Sequence, residues 1–330
     1  MQSSPLQPDF VPRRFIRNGH LQTLVSHYLA RESRLPPAEE RLFRVADGVR
    51  VRCDCHWQAE RKAALTVILV HGLEGSSSSQ YIVGTANKAF GAGMNVVRMN
   101  VRGCGGTEAL GASLYHSGLS ADVGEIVREL IAADSLPRLA IAGFSMGGNM
   151  VLKLAGEWGS DAPPQIKAVA AVSPGMDLSA SADALHLSVN RLYELRFLVS
   201  LWNSLRRKAK LYPAQYRKPA LRCLRSIRDF NDLITAPSFG FRGAEDYYTR
   251  ASATPLVGQI SVPTLVIHSS DDPFVRLLPS TVQALRANPQ VTLLETAHGG
   301  HCAFLGEPNG NDDGRWAERR IVEFFAGVSR

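Results

Sequence analysis

Leu139-Ala140-Ile141-Ala142-Gly143-Phe144-Ser145-Met146-Gly147-Gly148-Asn149 is the stretch on which the reading of this chain turns. A short apolar run with β character, Leu139 to Ala142, meets a serine flanked by glycines, and a helix-like run from Asn149 to Trp158 follows. A serine at the tip of a strand–turn–helix sits in cramped backbone where a larger neighbour would clash, so its hydroxyl stands clear above a sheet. This is the form of a nucleophile elbow. Glycine and serine are common, so the pentapeptide Gly143–Gly147 is weak by itself and gains its weight from the motifs around it.

Upstream, Leu65 to Val70 is an uncharged run ending in His71-Gly72-Leu73-Glu74-Gly75 and four serines, which reads as a buried parallel strand emptying into a loop. In an α/β-hydrolase arrangement this loop and the residue after the nucleophile each turn a backbone N–H toward the substrate carbonyl. Those donors are expected to be Leu73 and Met146. Loss of one such donor typically costs about 3 to 4 kcal/mol of barrier. Downstream, the uncharged run Pro263 to His268 leads to Asp271-Asp272-Pro273, and Val291 to Leu294 leads to His298-Gly299-Gly300-His301. The order Ser, Asp, His is the α/β-hydrolase order and differs from those of the chymotrypsin and subtilisin folds.

Two choices arise inside these motifs. Adjacent side chains diverge on an extended or turning segment, so one of Asp271 and Asp272 reaches an imidazole; Asp272 is favoured because it directly precedes the Pro273-Phe274-Val275 turn. His301 is favoured over His298 because the glycines between them suit a tight loop presenting the second histidine. His298 is then a loop hydrogen-bonder and Cys302 a packing residue.

Taken together, His71 to Ser76, Asn100 to Gly106, Gly143 to Asn149, Asp271 to Phe274 and His298 to His301 resemble the YheT-like branch of the α/β-hydrolases, also called the AB hydrolase 4 family. Asn18 to Thr23, Ala244 to Tyr248 and Ala251-Ser252 are similar to it too. The resemblance runs from about Phe15 to the last helix. It implies a triad of Ser145, Asp272 and His301 and an esterase activity; eukaryotic relatives act on acylglycerols or phospholipids and commonly begin with a membrane anchor.

The fold class expected is α/β: a mostly parallel central sheet flanked by helices, with a helical cap inserted after the sixth strand. The organisation expected is an N-terminal extension over 1–40, core over 41–175, cap over 176–255 and core again over 256–330. The 330 residues alternate strand-like and helix-like runs without a Gly/Ser/Pro linker between halves. No apolar stretch approaches the roughly 20 residues needed to span a bilayer. Met1 to Val11 lacks a basic leader and an apolar segment, so a cytoplasmic location is expected. Five scattered cysteines fit reduced thiols. Cys53 and Cys55 alternate with Arg52, Asp54 and His56 as on a half-buried strand, with no second ligand pair for zinc, and neither metal nor organic cofactor is expected. The glycines of Arg102 to Gly106 lack phosphate-loop spacing and read as a structural loop, and Ser76 to Ser79 as a loop whose bland role is helix N-capping.

Between Pro174 and Thr254, Leu192, Leu195, Leu198, Val199, Trp202 and Leu205 recur at helical steps. A cap there would line an acyl pocket, where each buried methylene contributes about 0.8 kcal/mol. Its second half carries Arg206, Arg207, Lys208, Lys210, Arg217, Lys218, Arg222, Arg225 and Arg228, most of the net charge of +7. A solvated cap face is the first reading of that run, attraction to anionic membrane or lipid head groups the second, and nucleic acid the last, since no binding motif accompanies the charge. The function expected is a serine hydrolase of acyl esters or lipid-like substrates. A non-catalytic ligand-binding protein on the same fold stays open, as do thioesterase and acyltransferase chemistries.

Overall fold

The computed structural model describes residues 10–216, 224–310 and 312–328. Eight strands among them form one sheet in the order β1-β2-β4-β3-β5-β6-β7-β8. They are β1 (Glu39–Ala46), β2 (Val49–His56), β3 (Thr66–Val70), β4 (Asn95–Met99), β5 (Leu139–Phe144), β6 (Ile166–Val172), β7 (Thr264–Ser269) and β8 (Val291–Thr296). β1 and β2 pair antiparallel about the Asp47-Gly48 turn, β2 meets β4 antiparallel, and every other pairing is parallel. The helices are α1 (Gly19–Tyr28), α2 (Gln80–Gly91), α3 (Ser120–Ala132), α4 (Met146–Trp158), α5 (Leu178–His186), α6 (Arg191–Leu211), α7 (Ile227–Phe230), α8 (Ala236–Ser238), α9 (Ala244–Ala251), α10 (Pro279–Ala287) and α11 (Trp316–Val328).

Every residue of β3, β4 and β5 is buried, because both faces of the sheet are covered. α3, α4 and α10 pack on one face, and α2 and α11 on the other. The chain steps outward from β3 to β4 and then crosses back to β5. At such a reversal the loops leaving neighbouring strands part and open a crevice at the carboxyl ends. His71 and Ser145 stand at those ends of β3 and β5.

Two local expectations need correction. β2 alternates only in its first half; Asp54 and His56 are buried as well. Arg98 of β4 lies beside both, donating to His56 and standing 3.9 Å from Asp54, while Ser77 Oγ donates to Asp54 at 2.5 Å. The polar side of the strand therefore faces an internal polar cluster instead of water. Ser76 to Ser79 do not cap α2 with a side chain; Ser79 is the N-cap residue, but its Oγ accepts from Ser76 N–H within the loop. Arg102 binds Asp122 of α3 through two hydrogen bonds of 2.5 Å, which makes its glycine-rich loop a buttress beside the site.

The segment between β6 and β7 is helical, α5 to α9, and α6 runs for 21 residues across the carboxyl edge of the sheet. Three of the six described cations of its basic run are committed to the protein. Arg207 pairs with Glu108, and Lys208 is buried with its ammonium on the Glu108 and Gly111 carbonyls. Arg228 pairs with Asp183 and Glu245. Arg206, Lys210 and Arg225 are exposed, while Arg217, Lys218 and Arg222 lie outside the described residues, as do Met1 to Asp9 of the leader segment. None of the described helices is long and apolar enough to cross a membrane.

Candidate active site

Ser145 has φ 53° and ψ −115°, a left-handed conformation forced on a side chain that normally avoids it. The surroundings hold it there: its N–H donates to Val172 O at 2.9 Å, and its carbonyl accepts from Asn149 and Gly175 N–H. The flanking glycines are obligatory for contact reasons. A Cβ on Gly143 would lie 2.2 Å from Gly147 O, and one on Gly147 would lie 2.4 Å from Val70 O and 2.6 Å from His71 O. These are backbone atoms of buried segments and have nowhere to go. Gly147→Ala is accordingly expected to destabilise by about 4 kcal/mol or more, whereas Gly91→Ala, with open space around its Cβ, should be neutral or slightly stabilising. Thermal melts of the two variants check this, and equal midpoints would refute the close-approach account.

The loop after β7 holds both aspartates, which turn apart. Asp272 is buried; its Oδ1 accepts from Phe274 N–H (3.1 Å) and Val275 N–H (2.9 Å), and its Oδ2 lies 2.8 Å from His301 Nδ1. The carboxylate thus caps the turn that follows it and keeps one oxygen for the imidazole. Asp271 instead accepts from Ser269 Oγ and Gly300 N–H and faces His298 Nδ1 at 3.4 Å. Burial favours a neutral Asp272, but the charge and hydrogen bond of His301 outweigh it and hold the carboxyl below its ordinary value. Burial likewise opposes charge on His301, and the Asp272 carboxylate raises its pKa well above 6.5 nonetheless. His301 Nε2 is 3.8 Å from Cys302 Sγ. Ser145 Oγ makes no hydrogen bond to His301 in this structure, although the two line one cavity; such contacts are often open before substrate arrives.

Across the crevice, His71 orders the loop after β3. Burial lowers its pKa to about 4, so the ring is neutral near pH 7. Its Nδ1–H donates to Gly72 O at 2.7 Å, and Nε2 accepts Val101 N–H at 3.0 Å. Gly72 N–H is taken by Tyr81 Oη at 2.9 Å. The N–H groups of Leu73 and Met146 have no hydrogen-bond partner among the described residues, and both residues border a cavity with Ser145. Glu74, at φ 55°, accepts from Tyr115 Oη (2.6 Å) and from Ser200 and Ser204 of α6 (2.7 Å each), tying this loop to the cap.

Two cavities meet at Ser145. One runs beneath the cap and is walled chiefly by apolar groups, among them Met146, Leu185, Leu201, Ile227 and Phe230. The other opens between α1 and α6 and is bordered by Gly72, Tyr193, Arg196, His301 and Cys302. Among the described residues no group of three or more His, Cys, Asp or Glu is placed to hold a metal ion.

The sequence placed Asn18 to Thr23 in the family resemblance but assigned no role to Asn18, His20, Gln22 or Thr23. Asn18 caps α1, and His20 stacks on Tyr193 of the cap. Buried Gln22 donates to Ile16 O and Leu305 O and accepts Leu305 N–H, while Thr23 Oγ1 accepts His301 N–H at 2.9 Å. The N-terminal helix therefore clamps the loop that carries His301. Only the polar pattern of Asn18 to Thr23 hinted at such a role, because its partners on that loop, His301 and Leu305, lie more than 270 residues away.

A serine on a strained strand-to-helix turn, above a sheet of this order and beside a Asp–His pair, defines an α/β-hydrolase. Residues 66–308 match the family model described as the alpha/beta hydrolase fold, and the chain belongs to that family, in its YheT-like branch. It is 35% identical over 326 residues to "Putative esterase YheT" of Escherichia coli (strain K12), covering 96% of this chain and 93% of that one. It is 29% identical over 308 residues to human "Phospholipase ABHD3", covering 90% and 73%. Among solved structures, a 2,6-dihydroxy-pseudo-oxynicotine hydrolase superposes with a TM-score of 0.59 over 94% of this chain and 71% of that one, at 16% identity, a likeness of fold.

Proposed function

We propose that this chain is a serine hydrolase of lipid-like acyl esters, with Ser145 as nucleophile, His301 as general base and Asp272 as its orienting carboxylate. The observation that carries it is the 2.8 Å Asp272–His301 bond, with His301 bordering one of the two cavities that share Ser145. His301 Nε2 takes the Ser145 proton as Oγ bonds to the ester carbonyl carbon, and the carbonyl oxygen becomes an oxyanion on the Leu73 and Met146 N–H groups. Collapse breaks the carbon–oxygen bond to the alcohol, which leaves with the proton from His301. Water, deprotonated by the same imidazole, then attacks the acyl-enzyme and frees the acid. The acyl chain takes the apolar cavity beneath the cap, segment 176–255, and the alcohol the cavity between α1 and α6. The names of the relatives, an esterase and a phospholipase, support an ester substrate.

The test is labelling by a fluorophosphonate probe beside hydrolysis of p-nitrophenyl esters from acetate to palmitate. Labelling at Ser145 with a clear chain-length optimum is expected; labelling with no ester turned over would favour a ligand-binding role. The base must be neutral to act, and Asp272 raises the pKa of His301, so kcat/KM should rise with pH along an acid limb centred above 6.5. A limb centred below that value would contradict the assignment of the base.

A further inference from the structure

The two helices that flank the cavity between α1 and α6 carry exposed apolar side chains, of which Leu24 borders the cavity itself. On α6, Leu192, Leu195 and Val199 recur at helical spacing and are exposed, Leu192 to 81%. None of them joins the cluster formed beneath the helix by Leu201, Leu205, Phe230 and Phe274. On α1, Leu21, Leu24 and Tyr28 make a second exposed stripe, Tyr28 to 73%. The two helices are joined by the His20–Tyr193 stack and by Arg196, which reaches His27 and lies over the Tyr28 ring.

Residues 10–31 contain Arg13, Arg14, Arg17 and Arg31 and no carboxylate; Arg13 pairs with Glu307 and Arg31 with Asp313 and Glu318, while Arg14 and Arg17 are exposed. Residues 187–211 contain one, Glu194, whose side chain is 1% exposed and is taken up by Arg191 and the Ile227 N–H. Glu74, the carboxylate bordering the cavity, is held by three hydroxyls. Amphipathic helices that lie in a lipid interface pair exposed Leu and aromatic groups with Arg or Lys and exclude acids, since anionic head groups repel carboxylates.

We infer that the α1–α6 rim docks on an anionic lipid surface, so that the cavity leading to Ser145 opens into the layer that holds the substrate. The inference rests on the proposed function for the purpose of docking, but the contact itself is independent of turnover. It also relocates lipid contact away from the cationic second half of the cap, where Arg207, Lys208 and Arg228 already have protein partners.

The experiment is vesicle flotation of the full chain carrying Ser145→Ala, which leaves the lipid unconsumed. Binding to phosphatidylcholine vesicles containing phosphatidylglycerol is expected to exceed binding to phosphatidylcholine alone and to weaken with salt. Adding Leu21→Ser, Tyr28→Ser, Leu192→Ser, Leu195→Ser and Val199→Ser should reduce it about tenfold or more. With Ser145 intact, the same five changes should leave hydrolysis of p-nitrophenyl acetate and the melting temperature near wild type while slowing hydrolysis of vesicle-borne ester. Absent vesicle binding, or binding retained by the five-fold variant, overturns the inference. So does loss of binding on changing Arg206, Lys210 and Arg225 instead, or a wild-type dimer in size exclusion that the five changes disperse without any vesicle binding. Vesicle binding by a protein that hydrolyses no ester would refute the proposed function and leave the docking face standing.

Discussion

Ser145→Ala is expected to lower kcat for ester hydrolysis by about a million-fold, in line with loss of a nucleophile from a triad that works as a unit. That factor corresponds to about 8 kcal/mol of barrier. The residual rate would come from the oxyanion donors and from binding, which the substitution leaves in place. The fold should not change. Among the described residues Ser145 Oγ makes no hydrogen bond, and alanine keeps the Cβ, so the strained φ of 53° costs the variant no more than it costs the wild type. A melting temperature within about 2 °C of wild type, with fluorophosphonate labelling abolished, is the combined expectation. Retention of a hundredth of the wild-type rate would remove Ser145 from the mechanism.

Asp272→Asn is the second large effect, a drop of about ten-thousand-fold. The new amide oxygen would keep accepting from Phe274 and Val275 N–H, which holds the turn. Its NH2 would then point at His301 Nδ1, so that nitrogen must accept, and the ring proton moves to Nε2, the position that must receive the serine proton. Removing the carboxylate also withdraws the charge that raises the imidazole pKa. The acid limb measured through fluorophosphonate labelling rates should therefore shift to lower pH. Asp271→Asn should cost about tenfold or less, because its partners Ser269, Gly300 and His298 shape the loop without touching His301. The reverse ranking would transfer the orienting role to Asp271.

Much of this was legible in the chain because the constraints act over short range. The elbow is written in Gly143 and Gly147, since the turn brings β5, α4 and the end of β3 within contact distance and admits no Cβ. Uncharged runs located β3 and β7 because a strand covered on both faces cannot carry charge without partners. The choice between Asp271 and Asp272 was also local: the acid that caps the Pro273-Phe274-Val275 turn is held with one oxygen spare for a ring beside it.

Sequence by itself thus determined the mostly parallel sheet, the elbow, the pairing of Asp272 with His301 and the position of the helical insertion, each through backbone geometry or burial within a few residues. Tertiary structure decided what depends on partners far along the chain. It turned the inner half of β2 toward Arg98 and Ser77, it gave Arg207 and Arg228 acids from other elements, and it set Gln22 and Thr23 on the His301 loop. It also left Leu192, Leu195 and Val199 facing outward, although their spacing is that of a core stripe. Helical periodicity reports that a face is apolar, and only the packing of the surrounding elements determines whether protein or something else covers it.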